Sequence, residues 1–182
     1  MRIVSGKYKG KKIAGYDLLG TRPTMNRVKE SLFAMLQPIL TDSICLDLFA
    51  GSGNLGFEAL SQGAKEVVLV DKNYQALQVM KKNAALLQIE EKISFYQGDF
   101  KKILAQLQGR KFTLIFLDPP YETDYIDQAL TLIHTYQLLT DQGWIVLESN
   151  DPSKVEPPHG YELIKYRKYG DKYISIIKPT TS

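Results

Sequence analysis

Five short apolar runs divide the middle of the chain: Ile44–Phe49, Glu66–Val70, Ile93–Tyr96, Phe112–Leu117 and Trp144–Glu148. Each is too short for a core helix and lacks strict polar alternation, the pattern of strands buried on both faces. Helical periodicity fills the gaps near 54–62, 73–88, 99–108 and 124–139. In the second of these, Ala76, Leu77, Met80, Ala84 and Leu87 make the apolar stripe. Strand–helix alternation predicts an α/β fold, a mostly parallel sheet with helices on both faces. The tail breaks the rhythm. Tyr161–Lys168 and Lys172–Lys178 flank Tyr169-Gly170-Asp171, which predicts a hairpin and therefore an antiparallel last strand. Ahead of the core, a helix is expected from Pro23 and Thr24 to about Gln37. Its apolar face is Met25, Val28, Leu32, Met35, Leu36 and Ile39. Residues 1–20, with Gly6 and Gly10 near a turn, read as a short hairpin. One domain over 1–182 is expected, with 1–40 as a basic hairpin and helix and 41–182 as a Rossmann-like core.

Charge changes this picture more than composition does. The net charge is only +3, yet residues 1–30 hold eight basic and two acidic side chains. A +6 arm therefore precedes a body of net −3, which suits a polyanionic partner such as RNA. Arg2, Lys7, Lys9, Lys11, Lys12, Arg22 and Arg27 are the candidate phosphate contacts. No apolar run approaches the roughly 20 residues of a membrane span. The first residues lack the pattern of a secretory leader, so a cytoplasmic location is expected. The single cysteine, Cys45, lies inside an apolar run and reads as a small buried hydrophobe. His134 and His159 have no partner at metal-ligand spacing, so no metal is expected.

The first strand runs into Asp47-Leu-Phe-Ala-Gly51-Ser-Gly53-Asn-Leu-Gly56, and Asp71 ends the next strand 20 residues after Gly51. Glycines let a backbone turn tightly and approach a nucleotide, while the acid can accept hydrogen bonds from ribose hydroxyls. This spacing is shared with dinucleotide-binding oxidoreductases. Two features favour S-adenosylmethionine over NAD. Asp47 would suit an ammonium and a sulfonium but repel a pyrophosphate. Asp99, after the third strand, can accept from an adenine amino group while Phe100 packs on a ring; the alternative is that Asp99 is just a helix N-cap. The candidate donor residues are Thr24, Asp47, Phe49, Gly51, Ser52, Gly53, Asp71, Lys72, Asp99 and Phe100.

The fourth strand ends in Asp118-Pro119-Pro120-Tyr121. Two prolines hold the tetrapeptide extended at the crevice edge. The Asp118 carboxylate and the Pro119 carbonyl can both accept from one NH2 group, and Tyr121 offers a flat face to an extruded base. An amino group conjugated to a base is a poor nucleophile. Two acceptors would aim its lone pair at a methyl carbon, and Asp118 would stabilise the positive charge that develops. At about 4 Å and an effective dielectric of about 20, that attraction is about 4 kcal/mol before desolvation. Amino-group methylation, an oxidoreductase and a non-catalytic nucleotide-binding module remain open from these residues alone.

Arg22-Pro-Thr, Asp47-Leu-Phe-Ala-Gly-Ser-Gly, Gly56-x-Glu58-Ala-Leu60-x-x-Gly63-Ala64 and Leu117-Asp-Pro-Pro-Tyr121 occur in that order. The series resembles the RsmD-type 16S ribosomal RNA guanine-N2 methyltransferases over nearly the whole chain. The resemblance implies a class I S-adenosylmethionine-dependent methyltransferase fold with a seven-stranded sheet. It also implies one guanine of 16S rRNA, within an assembling 30S subunit, as target, and a monomeric enzyme. By position, Gly51 and Gly53 would line the methionine part of the donor, Asp71 the ribose and Asp99 the adenine. Arg22-Pro23-Thr24 would border the cofactor mouth, and Asp118 to Tyr121 would hold the guanine. Adenine-N6 methylation of DNA or RNA follows the same amino-group logic and is the alternative. The sequence departs from the family in Thr24-Met25-Asn26-Arg27-Val28-Lys29-Glu30, where an acid and a second arginine are usual. Asn54 stands where a small residue is usual and is expected to cap the helix that follows. The tyrosine-rich tail, with Tyr166, Arg167, Lys168 and Tyr173, is expected to be an ordinary exposed hairpin.

Overall fold

The computed structural model describes residues 1–15, 23–120 and 123–180, with the side chains of Pro23 and Thr24 excluded. The candidate residues Arg22 and Tyr121, and the side chain of Thr24, lie outside the described part. Seven strands form one sheet: β1 (Ile44–Asp47), β2 (Glu66–Asp71), β3 (Ile93–Gln97), β4 (Phe112–Leu117), β5 (Leu139–Ser149), β6 (Tyr161–Tyr169) and β7 (Lys172–Pro179). Their order is β3-β2-β1-β4-β5-β7-β6. The first five strands run parallel, and β7 is antiparallel to both β5 and β6. Reversal of direction on either side of β1 opens a crevice beyond the strand C-termini, where ligands of such sheets bind.

The apolar runs alternate between two cores, as successive strand residues must. Cys45, Val67, Leu69, Leu114 and Phe116 face one side, where α1 (Pro23–Leu40), α2 (Asn54–Ser61) and α3 (Tyr74–Leu87) cover them. Leu46, Val68, Val70, Ile115 and Leu117 face the other, beneath α4 (Phe100–Gln106) and α5 (Tyr125–Thr135). Burial pushes the Cys45 thiol up to about 12, consistent with an inert core residue. Trp144 packs against the first core.

Three boundaries differ from the sequence expectation. α1 continues through Pro38 to Leu40 rather than ending at Gln37; in the last turn of a helix a proline interrupts little that follows. The fifth helix ends at Thr135, not 139. Gln137 adopts a left-handed backbone (φ 53) and the Leu138 N–H bonds back to the Ile133 carbonyl at 3.1 Å, which turns the chain out of the helix. Leu139, read as the end of that helix, begins β5, whose register against β4 shifts between Phe112 and Leu114.

The arm is a minimal hairpin held by the Arg2–Lys12 bridge. Ile3 and Ile13 anchor it in the first core. Among the described residues no helix is long and apolar enough to cross a membrane.

Candidate functional site

A cavity of about 550 Å³ lies beyond the C-terminal ends of β1 to β4. Phe49, Gly51, Asp71, Lys72, Asp99, Phe100, Asp118, Pro119 and Pro120, drawn from four segments of the chain, meet around it. Each segment leaves a strand of the parallel sheet, so the topology alone carries these residues to one end.

The glycine loop is tied to the second strand. Asp71 Oδ2 accepts from the Gly51 N–H at 2.9 Å, and its Oδ1 accepts from the Asn73 N–H at 2.9 Å. Gly51 has φ +57, and nothing lies within 4 Å of where a Cβ would stand. Gly53 has φ +85, and a Cβ there would come within 2.4 Å of the Phe57 ring. The first glycine thus leaves room beside the cavity, and the second lets the chain enter α2.

Three rings form an apolar wall. Phe49 and Phe100 have centroids 5.1 Å apart, Phe100 and Tyr125 5.0 Å, and Phe49 stacks on Tyr125 at 6.0 Å with planes 5° apart. Sequence reading found the two phenylalanines but missed Tyr125, whose place at the start of α5 was its only signal. Asp99 serves as the N-cap of α4, its Oδ1 accepting from the Lys101 N–H at 2.8 Å, and it lines the cavity as well. The N-cap reading of that residue is the one the structure bears out.

Asp47 ends β1 beneath the loop and is 1% exposed. Its Oδ1 is buried without a hydrogen-bond partner. Burial pushes its carboxyl up to about 7; a bond from the Phe49 backbone lowers it, and the acids Asp71 and Glu148 add to the rise. An orphaned buried acceptor of this kind fits a cationic ligand. Asp118 also titrates well above the ordinary carboxylate range. Burial is the main cause, reinforced by the charge of Glu148 and a hydrogen bond to it, and opposed by Lys172. Glu148, near the end of β5, pairs with Lys172 at the start of β7 at 3.3 Å. Glu148 was not singled out from sequence, and Lys172 was read only as part of the exposed tail hairpin. They lie 30 and 54 positions beyond Asp118, and only the order β4-β5-β7 brings them beside it.

Three expected donor residues are not among the cavity walls: Asp47, buried beneath the loop, Ser52 and Gly53. Ser52 is buried under the arm, its Oγ 3.6 Å from Met1 Sδ and its carbonyl accepting from Asn83 at 3.2 Å. Gly53 packs against Phe57 instead. Asn54 does not cap α2, whose N-cap is Gly53; its Oδ1 accepts from Lys29 Nζ at 2.8 Å. Lys29 is 3% exposed and pairs at 3.0 Å with Glu58, which is 0% exposed. Burial lowers the Lys29 pKa, opposed by Glu58. Lys29 also donates to the Arg2 carbonyl at 2.7 Å, while Glu58 accepts from the Val4 and Ser5 N–H groups. Two of the three departures from the usual pattern, Lys29 and Asn54, therefore help hold the arm to the body.

Arg2, Lys7, Lys9, Lys11, Lys12 and Arg27 are all exposed. The arm does not gather them at the cavity mouth. Met1 touches the glycine loop, but Lys7 and Tyr8 bond to Ser61 at the far end of α2. An eight-residue helix is about 12 Å long, so Lys7 and Lys9 lie toward the other end of the sheet from Arg2 and Lys12.

A family model described as "Conserved hypothetical protein 95" matches residues 1–178. The chain is 38% identical over 182 residues to the Bacillus subtilis (strain 168) protein YlbH, covering 98% of each. It is 35% identical over 172 residues to "Ribosomal RNA small subunit methyltransferase D" of Haemophilus influenzae, covering 93% of this chain and 89% of that one. The solved structure of yhhF from Escherichia coli superposes with a TM-score of 0.89 at 31% identity, covering 98% of this chain and 97% of that one. By sequence and by fold, the chain belongs to the RsmD family, whose members carry the class I methyltransferase fold found here.

Proposed function

We propose that the protein is an S-adenosylmethionine-dependent methyltransferase that methylates the exocyclic N2 amino group of one guanine in 16S rRNA, within an assembling 30S subunit. The observation that carries this is the meeting of Asp118-Pro119-Pro120 with Gly51, Asp71 and Asp99 around one cavity. The small-subunit rRNA methyltransferase relative supports RNA as the substrate.

S-adenosylmethionine, when bound, supplies an electrophilic methyl group on a sulfonium. Asp47 would face its cationic amino-acid part, Asp71 its ribose, and Phe49, Phe100 and Tyr125 its adenine. Asp118 and the Pro119 carbonyl accept the two N–H bonds of the amino group and turn its lone pair toward the methyl carbon. Positioning of this kind supplies a large part of such a barrier reduction. Tyr121 would stack on the extruded base in place of its former neighbours in the RNA. Arg2, Lys7, Lys9, Lys11, Lys12, Arg22 and Arg27 would bind phosphates, which position the RNA without reading its bases. We read the chain as one domain that acts as a cytoplasmic monomer and without a metal.

The test is to offer undermodified 30S particles, naked 16S rRNA and DNA to the protein with labelled donor, and to map the product. N2-methylguanine at one site of the small-subunit RNA is expected. N6-methyladenine in any of the three would overturn the guanine assignment.

A further inference from the structure

β6 and β7 form the edge of the sheet beyond β5, and the two faces of this hairpin differ. On one face Ile174 and Ile176 fill the first core, and the Tyr169 hydroxyl donates to Ser31 Oγ of α1. On the other face Tyr166 and Tyr173 stack, with ring centroids 6.4 Å apart and planes 14° apart. The rings come from adjacent strands: Tyr166 lies opposite Ser175, on the same pleat as Tyr173. Lys168 lies directly opposite Tyr173 and holds its ammonium 5.5 Å over that ring. Tyr166 is 38% exposed, and Lys165, Arg167 and Lys168 are exposed beside it. The hairpin from Tyr161 to Pro179 carries five cations and two acids. Lys172 is paired with Glu148 and Lys178 with Glu162, which leaves the exposed positive charge on β6, around the tyrosines.

This face is continuous with the candidate site. Pro119 and Pro120 line the cavity described above and also a second cavity of about 350 Å³, which Ile126, Ser149 and Asn150 help to enclose. Ser149 is the register partner of Tyr173 across β5 and β7. Directly opposed residues of antiparallel strands share a face, and neighbouring strands lie about 5 Å apart. The tyrosine pair therefore begins one strand away from the wall of the second cavity. A cross-strand aromatic pair supports a hairpin by itself, but the cluster of exposed cations around it is something a hairpin does not need.

We propose that Tyr166, Tyr173 and Lys168 form a stacking platform for a single-stranded stretch of RNA beside the target nucleotide. This rests on the RNA-methylation reading above. Extruding one base leaves its neighbours with a bare face, and a tyrosine ring replaces the missing partner whatever the base. Lys165, Arg167 and Lys168 supply the charge that the phosphates of such a strand require. An acidic peptide would use the cations and leave the ring faces idle. A second copy of this chain adding to the open side of β6 would use backbone groups rather than rings, and lysines along an edge oppose that pairing. Bases with phosphates between them use both the rings and the charges.

The test uses the full chain, with undermodified 30S particles and a short unstructured oligoribonucleotide as probes. Ultraviolet crosslinking of the particle complex, read by mass spectrometry, should find rRNA attached within Tyr161–Pro179. Tyr166→Ala should weaken binding of both probes about 10-fold, which is about 1.4 kcal/mol and lies within the range for stacking of one base on an aromatic ring. The loss should appear in the KM for the particle rather than in kcat. Tyr166→Phe keeps the ring and should bind within about twofold of wild type. Lys168→Gln, at an exposed side chain, should lower the log–log salt slope for the oligoribonucleotide by about 0.7, and it decides the matter if Tyr166→Ala does not fold. Wild-type affinity and slope in these variants, or Tyr166→Phe binding as weakly as Tyr166→Ala, would overturn the platform. So would an absence of adducts in the hairpin, or variants that change the sedimentation of the free protein instead of its RNA affinity, the mark of a second copy on this face. Guanine methylation by wild type with no loss in the variants leaves the proposed function standing without the platform. RNA crosslinked to the hairpin of a protein that methylates no guanine does the reverse.

Discussion

Under the proposed function, Asp47 should make donor binding depend on pH in a direction that follows from its burial. Its carboxyl is raised from an ordinary 3.8 to about 7, chiefly by burial, and one of its oxygens has no partner. A cationic ligand must bind the ionised form, so below pH 7 binding first removes a proton. Affinity for S-adenosylmethionine should then fall by about 1.4 kcal/mol per pH unit well below 7. Between pH 7 and 5.5, where the donor's α-amino group stays cationic, the loss is about 15-fold. Calorimetry in two buffers of different ionisation enthalpy should show close to one proton released per donor bound at the lower pH. Stability shows the same group from the other side. A carboxyl raised in the folded state contributes stability that is present below about pH 4 and lost as pH rises through 7. At pH 8 its ionisation costs the unliganded fold at most about 4 kcal/mol. Asp47→Asn should therefore raise the melting temperature of the unliganded protein at pH 8 and leave it unchanged near pH 4. The same variant should bind the donor about 1.5–3 kcal/mol more weakly, the scale of hydrogen bonds to a charged group, and with no pH dependence. Wild-type affinity that is flat from pH 7 to 5.5 with no proton released would refute the reasoning.

Three further outcomes are expected. Asp118→Ala should lose methyl transfer by orders of magnitude while binding S-adenosylhomocysteine normally, and near-normal single-turnover rates would remove Asp118 from the chemistry. Glu58→Ala strands the buried Lys29 ammonium and the Val4 and Ser5 N–H groups; denaturant unfolding should show a loss of about 3–5 kcal/mol. Because the arm runs along α2, replacing Arg2 and Lys12 by Gln should weaken 30S binding more than replacing Lys7 and Lys9. Removing one cation from a phosphate should lower the log–log salt slope by about 0.7–0.9; slopes equal to wild type in both variants would make these side chains solvated surface only.

Local signals in the sequence carried much of the fold. The buried strands were legible because both faces of the sheet are covered, leaving unbroken apolar runs. The glycine loop and Asp118-Pro119-Pro120 were legible because each function there is encoded in consecutive residues. What escaped was non-local. Glu148 looks like the polar end of an apolar strand until the neighbouring strands place it beside Asp118. Lys29 looks like one more arm cation, yet it is buried against Glu58, 29 positions away. The start of β5 was lost because Leu138 and Leu139 continue the helical spacing of α5, and only the left-handed Gln137 ends it.

β7 is the last strand in the chain but lies inside the sheet, between β5 and β6. During synthesis the open side of β5 therefore stays unpaired until the tail has left the ribosome, at about 5–20 residues per second. Unpaired strand edges are templates for pairing with other chains. Over the same interval Asp118 and Glu148 are already on emerged segments, while Lys172, the cation beside them, is still being made. A nascent chain thus holds a bare edge and an uncompensated cluster of acids at one end of the same sheet, and docking of a single hairpin closes both. Premature termination near residue 160 should leave aggregation-prone protein rather than a weakened enzyme.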